Sequence, residues 1–236
     1  MGKPAYLWIE CIIFISLMIL YGFTGYQRNT AWKDEMSLWS DVVKKSPGKS
    51  RPHSLLGVAY TFNGQVDRAI TEISEAVSIE PHPVRYVALG NAYREKGLLD
   101  HAMLHYNNAL SIKPDFYGVY VNLGNIYVGM GLLDKAIGAY QICIESDPSC
   151  LEGHINLASA YGLKENYEKA LYHLNRALEL DPHNPDVHYN LGVTYASLGM
   201  FKEAFAEYEK VLAVKPDDKD ALHNRNLIKS RFFQGN

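Results

Sequence analysis

Asparagine side chains recur at a fixed interval along this 236-residue sequence. Asn122, Asn156 and Asn190 are spaced by 34 residues, and Asn91 and Asn125 form a second pair with the same interval. A primary amide carries two donors and an acceptor, so a row of amides could bind the backbone of an extended peptide with little preference for its sequence. Hydrogen bonds between helices are the alternative use of these side chains. The five asparagines are the candidate peptide-binding residues.

Other residues with catalytic or metal-binding chemistry form no complete pattern. His101 and His105 are four positions apart on one predicted helix face, but no glutamate lies between them and no third ligand is identifiable. We expect both to face solvent, and we predict no metal and no cofactor. No G-x-S-x-G, G-x-x-x-x-G-K-[ST] or C-x-x-C motif occurs. We therefore predict no catalytic residues and no enzyme activity.

Composition excludes several further classes of protein. Hydrophobic residues make up 47% of the chain, which is enough for a core and argues against wholesale disorder. A net charge of −3 does not predict nucleic-acid binding. Cys11, Cys143 and Cys150 are too few for a disulfide scaffold and lack the paired spacing of a zinc site.

The interval of 34 residues extends well beyond the asparagines. A small residue three positions before a tyrosine recurs at spacings of 33, 34, 34 and 34. Each unit then contains an alanine and ends with a proline, so five units share one register. The pairs are Gly57/Tyr60, Gly90/Tyr93, Gly124/Tyr127, Ala158/Tyr161 and Gly192/Tyr195, the alanines are Ala69, Ala102, Ala136, Ala170 and Ala204, and the prolines are Pro81, Pro114, Pro148, Pro182 and Pro216.

Each unit predicts two helices joined by a short turn. In the second unit Tyr86, Leu89 and Tyr93 lie on one face of a first helix, and Gly97 is a suitable residue to end it. Asp100 favours the start of a second helix, where the exposed N–H groups and the helix dipole stabilise a carboxylate. The predicted unit is a helical hairpin that must stack on its neighbours to bury its apolar face.

These positions resemble the tetratricopeptide repeat family over residues 50–218. The resemblance implies an all-α, right-handed superhelical solenoid of five repeats, at 50–82, 83–116, 117–150, 151–184 and 185–218. It also implies that the first helices line the concave side, where Asn91, Asn122, Asn125, Asn156 and Asn190 would form a groove similar to that of O-GlcNAc transferases. Ala88 and Leu55 interrupt that row and limit it to three members at the Asn122 position.

Within this resemblance the fourth unit departs from the pattern at its turn. Glu165 and Asn166 replace the turn glycine there, and we expect Asn166 to take the left-handed conformation. In the second helix, Cys143 and Val211 replace a recurring alanine.

The segments that flank the repeats have related patterns. Residues 27–49 are predicted to form a juxtamembrane helix, the second half of a degenerate repeat, because Pro47 lies 34 positions before Pro81. Residues 219–236 are predicted to form a capping helix and tail, with Ala221, Asn224 and Ile228 on one face together with Phe232.

The N-terminal segment predicts a membrane anchor. Residues 5–26 contain Glu10 as their only charge, and as a helix they would extend about 33 Å, enough to cross a bilayer. We therefore assign residues 1–26 to a single transmembrane helix, with a cleaved signal peptide as the alternative. Four lysines and arginines lie between Arg28 and Lys45, against Lys3 alone before the span, and by the positive-inside rule they favour a cytoplasmic C-terminal part.

The junction that follows is similar to a narrower family. It resembles the segment between the last membrane helix and the repeat tail of O-mannosyltransferase-related transmembrane repeat proteins. That resemblance implies repeats outside the cytoplasm, in the periplasm or lumen, and a membrane glycosyltransferase as a partner. The residues that carry it are Arg28, Asn29, Trp32, Glu35, Leu38, Trp39, Pro47 and Gly57.

Three functions follow from these features. The first is a membrane-anchored scaffold that binds a protein or extended peptide in its concave groove without catalysis. The second is a non-catalytic, substrate-handling or regulatory part of a membrane glycosyltransferase system. The third is an assembly factor whose groove holds immature subunits of a membrane complex.

Overall fold

The computed structural model describes residues 34–232, which form twelve helices and no strand. The proposed membrane anchor at residues 1–26 lies outside the described residues. Within the described part, no helix combines the length and the apolar character needed to cross a bilayer. The helices are α1 Glu35–Lys45, α2 Ser50–Phe62, α3 Val66–Ile79, α4 Pro83–Glu95, α5 Leu99–Ile112, α6 Gly118–Gly129, α7 Leu133–Ser146, α8 Leu151–Leu163, α9 Tyr167–Leu180, α10 Pro185–Ser197, α11 Phe201–Val214 and α12 Lys219–Phe232.

The described part of the chain divides into two compact units, with the division between Asn108 and Ala109, inside α5. In the first unit α1 packs on α2, α2 on α3 and α3 on α4. In the second, each helix from α6 to α12 packs on the next, and the first helices α6, α8 and α10 also contact one another in turn. The prediction of helical hairpins is confirmed; the right-handed superhelix stays a prediction.

Glycine forms four of the five turns inside the hairpins. Gly64, Gly97, Gly131 and Gly199 have φ between 68° and 80°, a conformation that is open to glycine without steric cost. The expectation for the fourth hairpin was wrong in detail, since Glu165 takes the left-handed conformation, with φ of 57°. Asn166 instead caps α9, and its side chain accepts a hydrogen bond from the Lys169 backbone N–H.

A small residue on the first helix faces a large one on the second helix. A Cβ atom added at Gly90 would lie 2.6 Å from Cε1 of Tyr106, and one at Gly192 would lie 2.7 Å from Cε1 of Tyr208. Both tyrosine rings are fully buried. The glycines are therefore required by the close approach of a ring and not by the helix itself, in which glycine is unfavourable.

The two terminal helices pack on their neighbours. Asp34 caps α1, and its carboxylate and the Ser37 side chain form a reciprocal capping box. At the other end Ala221 and Ile228 of α12 are buried against α11, and Phe232 stacks on Phe201 with ring centroids 3.7 Å apart.

Candidate binding groove

Two of the predicted asparagines are bound inside their own hairpins. The Tyr106 hydroxyl donates to Asn91 Oδ1 at 2.5 Å, and the Tyr140 hydroxyl donates to Asn125 Oδ1 at 2.7 Å. Burial raises the pKa of both hydroxyls, that of Tyr140 to about 12, so each remains a donor at neutral pH. These amides join the two helices of a hairpin, and any part they play in peptide binding stays a prediction.

Asn156 extends this network between repeats. Its Nδ2 donates to Asn125 Oδ1 at 3.1 Å, so the Asn125 carbonyl accepts one bond from α7 and one from α8. A carbonyl oxygen has two lone pairs, and both are then used. Asn125 therefore has no acceptor left for a peptide.

The amides of Asn122 and Asn190 have different surroundings. Both residues are half-buried, and among residues 34–232 neither side-chain amide has a hydrogen-bond partner. Asn190 Nδ2 and Oδ1 thus remain able to bind another molecule. Its own backbone carbonyl accepts from Thr194 Oγ1 at 2.7 Å, which orients the neighbouring turn of α10.

A groove of about 470 Å³ lies beside Asn190 in the second unit. It runs between the first helices α8 and α10, and a further cavity of about 360 Å³ between α10 and α12 shares Val193 and Ser197 with it. The first is lined by Ala158, Ser159, Gly162, Leu163, Tyr167, Leu174, Tyr189, Asn190, Val193, Thr194 and Ser197. The two cavities together define what we call the binding groove.

Apolar side chains and neutral polar groups line the binding groove. Leu163, Val193 and Leu227 are 61%, 38% and 40% exposed, which is unusual for large apolar side chains on a monomeric surface when they adjoin one another. The serine and asparagine side chains of the groove offer donors and acceptors. Of the residues described here that line the groove, Arg231 is the one that carries a charge.

Asn224 belongs to this surface and was missed by the sequence analysis as a binding residue. It lines the second cavity, and its Nδ2 donates to the Tyr189 hydroxyl at 3.3 Å, leaving Oδ1 as an acceptor. It lies 34 residues after Asn190, so the interval itself was the available signal. The sequence analysis assigned α12 only as a capping helix and therefore did not consider Asn224 as a binding residue.

Histidines at a second recurring position hold the loops between repeats. Each follows a proline by six residues, and its Nε2 lies 2.9 to 3.3 Å from that proline's carbonyl oxygen. Its Nδ1 lies against a side chain of the second helix, at 2.6 to 3.2 Å. The triplets are Pro47, His53 and Glu72; Pro148, His154 and His173; and Pro182, His188 and Glu207.

The His154–His173 pair differs electrostatically from the two pairs with glutamate. An imidazole that faces a carbonyl and a carboxylate can donate from both nitrogens as a cation. Between two imidazoles, one Nδ1 must accept, so the pair at 3.2 Å suits neutral rings. Burial, the other imidazole and then Lys169 lower the pKa of His173 to about 4, and burial also lowers the pKa of His154.

His101 and His105 pack against tyrosines. His101 is exposed and stacks on Tyr93, whereas the expectation that His105 faces solvent was wrong: it is half-buried and stacks on Tyr86 and Tyr93. Burial, then His101, lowers the pKa of His105. No group of three or more possible metal ligands is found within residues 34–232.

Comparisons with known proteins agree with the repeat pattern. Family models described as tetratricopeptide repeat match residues 51–83, 117–150 and 185–218, and a further TPR repeat model matches residues 90–131 and 163–199. No curated protein sequence matches the chain significantly.

Solved structures with the same fold cover most of the chain. A thermophilic TPR protein of Thermus thermophilus is 25% identical over 76% of this chain and 98% of its own, with a TM-score of 0.63. YrrB, described as a TPR protein with an unusual peptide-binding site, is 21% identical over 80% of this chain and 97% of its own, with a TM-score of 0.58. PilW, a type IV pilus biogenesis factor, is 20% identical over 77% of this chain and 84% of its own, with a TM-score of 0.71.

Proposed function

The chain belongs to the tetratricopeptide repeat family, and from this membership we propose that it is a scaffold that binds a protein partner through an extended peptide segment. The site is the binding groove of the second unit, and the function requires no catalysis. Repeat proteins commonly use extended surfaces of this kind for partners. The peptide-binding site described for YrrB is consistent with the proposal.

One observation carries the proposal: the amide of Asn190, which has no hydrogen-bond partner among residues 34–232, lines the same groove as exposed apolar side chains of adjacent first helices. An extended peptide offers an N–H and a C=O at each residue, which suit an amide, and alternate side chains, which suit apolar pockets. Because the groove carries little charge, we expect a partner segment that is apolar and neutral.

The test uses phage-displayed random peptides of about 12 residues, selected on the purified full chain. Val193→Glu places a charge inside the groove, and we expect it to weaken the selected peptides by roughly tenfold or more. Ile142→Glu is the matched control, because Ile142 is 39% exposed and Val193 38%, but Ile142 lies on α7 outside the groove. Equal binding by the Val193→Glu chain, or no selected peptide at all, would contradict the proposal.

We further propose that residues 1–26 anchor this scaffold in a membrane as a single-pass protein, with the repeats outside the cytoplasm. The support is the apolar run of residues 5–26 and the junction resemblance. Carbonate extraction of the expressed full chain and of a chain without residues 1–26 tests the anchor, since only the full chain should stay in the membrane pellet. Protease treatment of intact cells then reports the side on which the repeats lie.

A role in a membrane glycosyltransferase system is the alternative, and it rests on the junction residues, among them Trp39 and Pro47. Purification of the tagged chain from native membranes, followed by mass spectrometry, distinguishes the two functions. Recovery of a multi-span transferase supports the alternative. Recovery of other proteins, with capture lost in the Val193→Glu chain, supports the scaffold.

A further inference from the structure

The connection between α1 and α2 carries a concentration of positive charge. Lys44 and Lys45 lie in the last turn of α1, Lys49 is the N-cap of α2, and Arg51 lies in the first turn of α2. All four residues are exposed, and no acidic residue lies between them. Residues 44–51 therefore form a basic surface, which we call the basic loop.

The equivalent connections of the other repeats lack this charge. Each contains a proline that recurs with Pro47, and the same window around each proline has one to three acidic residues and no net positive charge. The positive charge of the basic loop is therefore not part of the repeat pattern, and stacking of the hairpins does not require it. The equivalent windows are residues 78–85, 111–118, 145–152, 179–186 and 213–220.

The acidic side chains beside the basic loop are already paired. Asp41 forms an ion pair with Lys45 at 2.6 Å, and Glu80 forms one with Arg85 at 2.9 Å. Glu80 also accepts a hydrogen bond from Ser50 Oγ at 2.6 Å. The cations of the basic loop that have no ionic partner within the described part of the chain are Lys44, Lys49 and Arg51.

Apolar side chains adjoin the unpaired cations. A cavity of about 580 Å³ at the basic loop has a lining that includes Trp39 and Val42 of α1 and Ile79 of α3, together with Lys49 and Arg51. Trp39 is half-buried, and Ile79 is 37% exposed. Tryptophan rings and cationic side chains with apolar stems are the groups that favour the boundary between lipid headgroups and acyl chains.

We propose that the basic loop and the cavity beside Trp39 bind anionic lipid headgroups at a membrane surface. The inference extends the proposed membrane anchoring and rests on it for the proximity of lipid. Residues 27–33 separate the proposed anchor from the described chain, and whatever their conformation they span at most about 25 Å. The helix α1 has 11 residues and adds about 16 Å. The anchor would thus hold the basic loop within about 40 Å of the bilayer.

This tether favours lipid over other anionic partners. An acidic protein segment would suit the same charges, but nothing holds such a segment near the basic loop. Each lysine or arginine close to an anionic membrane surface strengthens binding roughly fivefold, and salt weakens this attraction. The proposal requires anionic lipid on the side of the membrane where the repeats lie, and it is independent of the binding groove.

The test uses the full chain reconstituted in vesicles of phosphatidylcholine alone or with about 30% phosphatidylglycerol, and a short pulse of a membrane-impermeant reagent that acetylates lysine. Cleavage after glutamate gives residues 36–72, in which Lys44, Lys45 and Lys49 are the lysines, and residues 180–203, in which Lys202 is the lysine. Relative to the exposed Lys202, we expect labelling of the first peptide to be at least about threefold lower with anionic lipid and to recover at about 0.5 M salt.

A variant without the unpaired cations tests whether their charge causes the protection. Lys44→Gln, Lys49→Gln and Arg51→Gln in one chain leave Lys45 as the reporter, and we expect Lys45 to be labelled equally in both kinds of vesicle. The three residues are exposed and have no ionic partner among residues 34–232, so the thermal melt of this variant should match that of the parent.

The matched control removes the same charge from other exposed positions, with Lys113→Gln, Lys219→Gln and Lys229→Gln in one chain. It should keep the protection of the parent. Equal labelling of the parent in the two kinds of vesicle, protection that salt does not reverse, or loss of protection in the control chain would each overturn the proposal. Carbonate extraction does not depend on headgroup charge, so release of the chain contradicts the anchor, while the labelling decides the lipid contact in either case.

Discussion

Asparagines at the two recurring positions of the first helices have different roles in this protein. Asn125 accepts from the buried Tyr140 hydroxyl, whereas the Asn190 amide is without a partner in the described part of the chain. Asn125→Ala should therefore lower the free energy of unfolding by about 1–3 kcal/mol, because a buried hydroxyl loses its acceptor. Asn190→Ala should leave urea denaturation unchanged and weaken peptide binding. The assignment fails if Asn190→Ala is the variant that destabilises.

The His154–His173 pair makes stability depend on pH in a definite direction. The folded-state pKa of both rings is lowered, that of His173 to about 4, so between about pH 6.5 and 4 the unfolded chain binds more protons. The stability that the neutral pair contributes to the folded state is complete above pH 6.5 and is lost as the pH falls through that window. The groups around the pair, Lys169 and Arg176, are cationic and oppose protonation further.

His173→Glu should remove this acid sensitivity, because it creates the His–Glu pair that His188 and Glu207 form in the next hairpin. When the pH is lowered from 6.5 to 4.5, we expect the free energy of unfolding to fall by about 1–2 kcal/mol less in the variant than in the parent. This figure allows for solvent screening of a partly exposed group. Urea denaturation at several pH values measures it. His183→Gln, at an exposed histidine, is the control and should follow the parent.

At the scale of the helical hairpin, the turn at Glu165 is a point of strain. Its φ of 57° is unfavourable for a residue with a Cβ atom, and the other four turns have glycine in this conformation. Glu165→Gly should raise the free energy of unfolding by about 0.5–1 kcal/mol. Gly199→Glu is the reciprocal change and should lower it by a similar amount; a thermal melt that shows no opposite shifts would contradict the argument.

The packing of first helix on second depends on matched sizes. The fourth hairpin has Ala158 and Leu174 at the positions where the fifth has Gly192 and Tyr208. Gly192→Ala should cost about 1–3 kcal/mol, because its Cβ would lie 2.7 Å from a buried ring. The double variant with Tyr208→Leu should be less destabilised than the sum of the two single variants. Additive effects would show that the glycine is needed for another reason.

The sequence predicted these elements because repetition averages out local ambiguity. The glycine, tyrosine, alanine and proline positions occur in five copies, so the hairpins were evident without contacts. The contacts of single side chains were not predictable in this way. Glu165, and not Asn166, takes the left-handed conformation, and Tyr140 is the partner of Asn125. Both facts depend on distances that a residue pattern does not contain.

At the scale of the whole molecule, the absence of contact information in a residue pattern also explains why the groove residues of α12 were not predicted. Repeat stacking makes each helix both a packing element and a surface, and α12 shows both functions. Ile228 is 5% exposed and packs on α11, while its neighbour Leu227 is 40% exposed and lines the groove. The predicted face of α12 contains Ala221, Asn224 and Ile228, so Asn224 was assigned to packing although it also lines the groove, and Leu227 lies outside that face.

Substitutions at the neighbouring residues Leu227 and Ile228 should have different effects on folding and on peptide binding. Ile228→Asp should undock α12, lower the melting temperature by roughly 5–10 °C and abolish binding of selected peptides, because it places a charge in an apolar cluster. Leu227→Asp places the same charge one residue away on an exposed site, so it should leave the melt unchanged and still weaken binding by roughly tenfold. If Leu227→Asp binds like the parent, the groove ends at α10 and α12 serves only to cover the last hairpin.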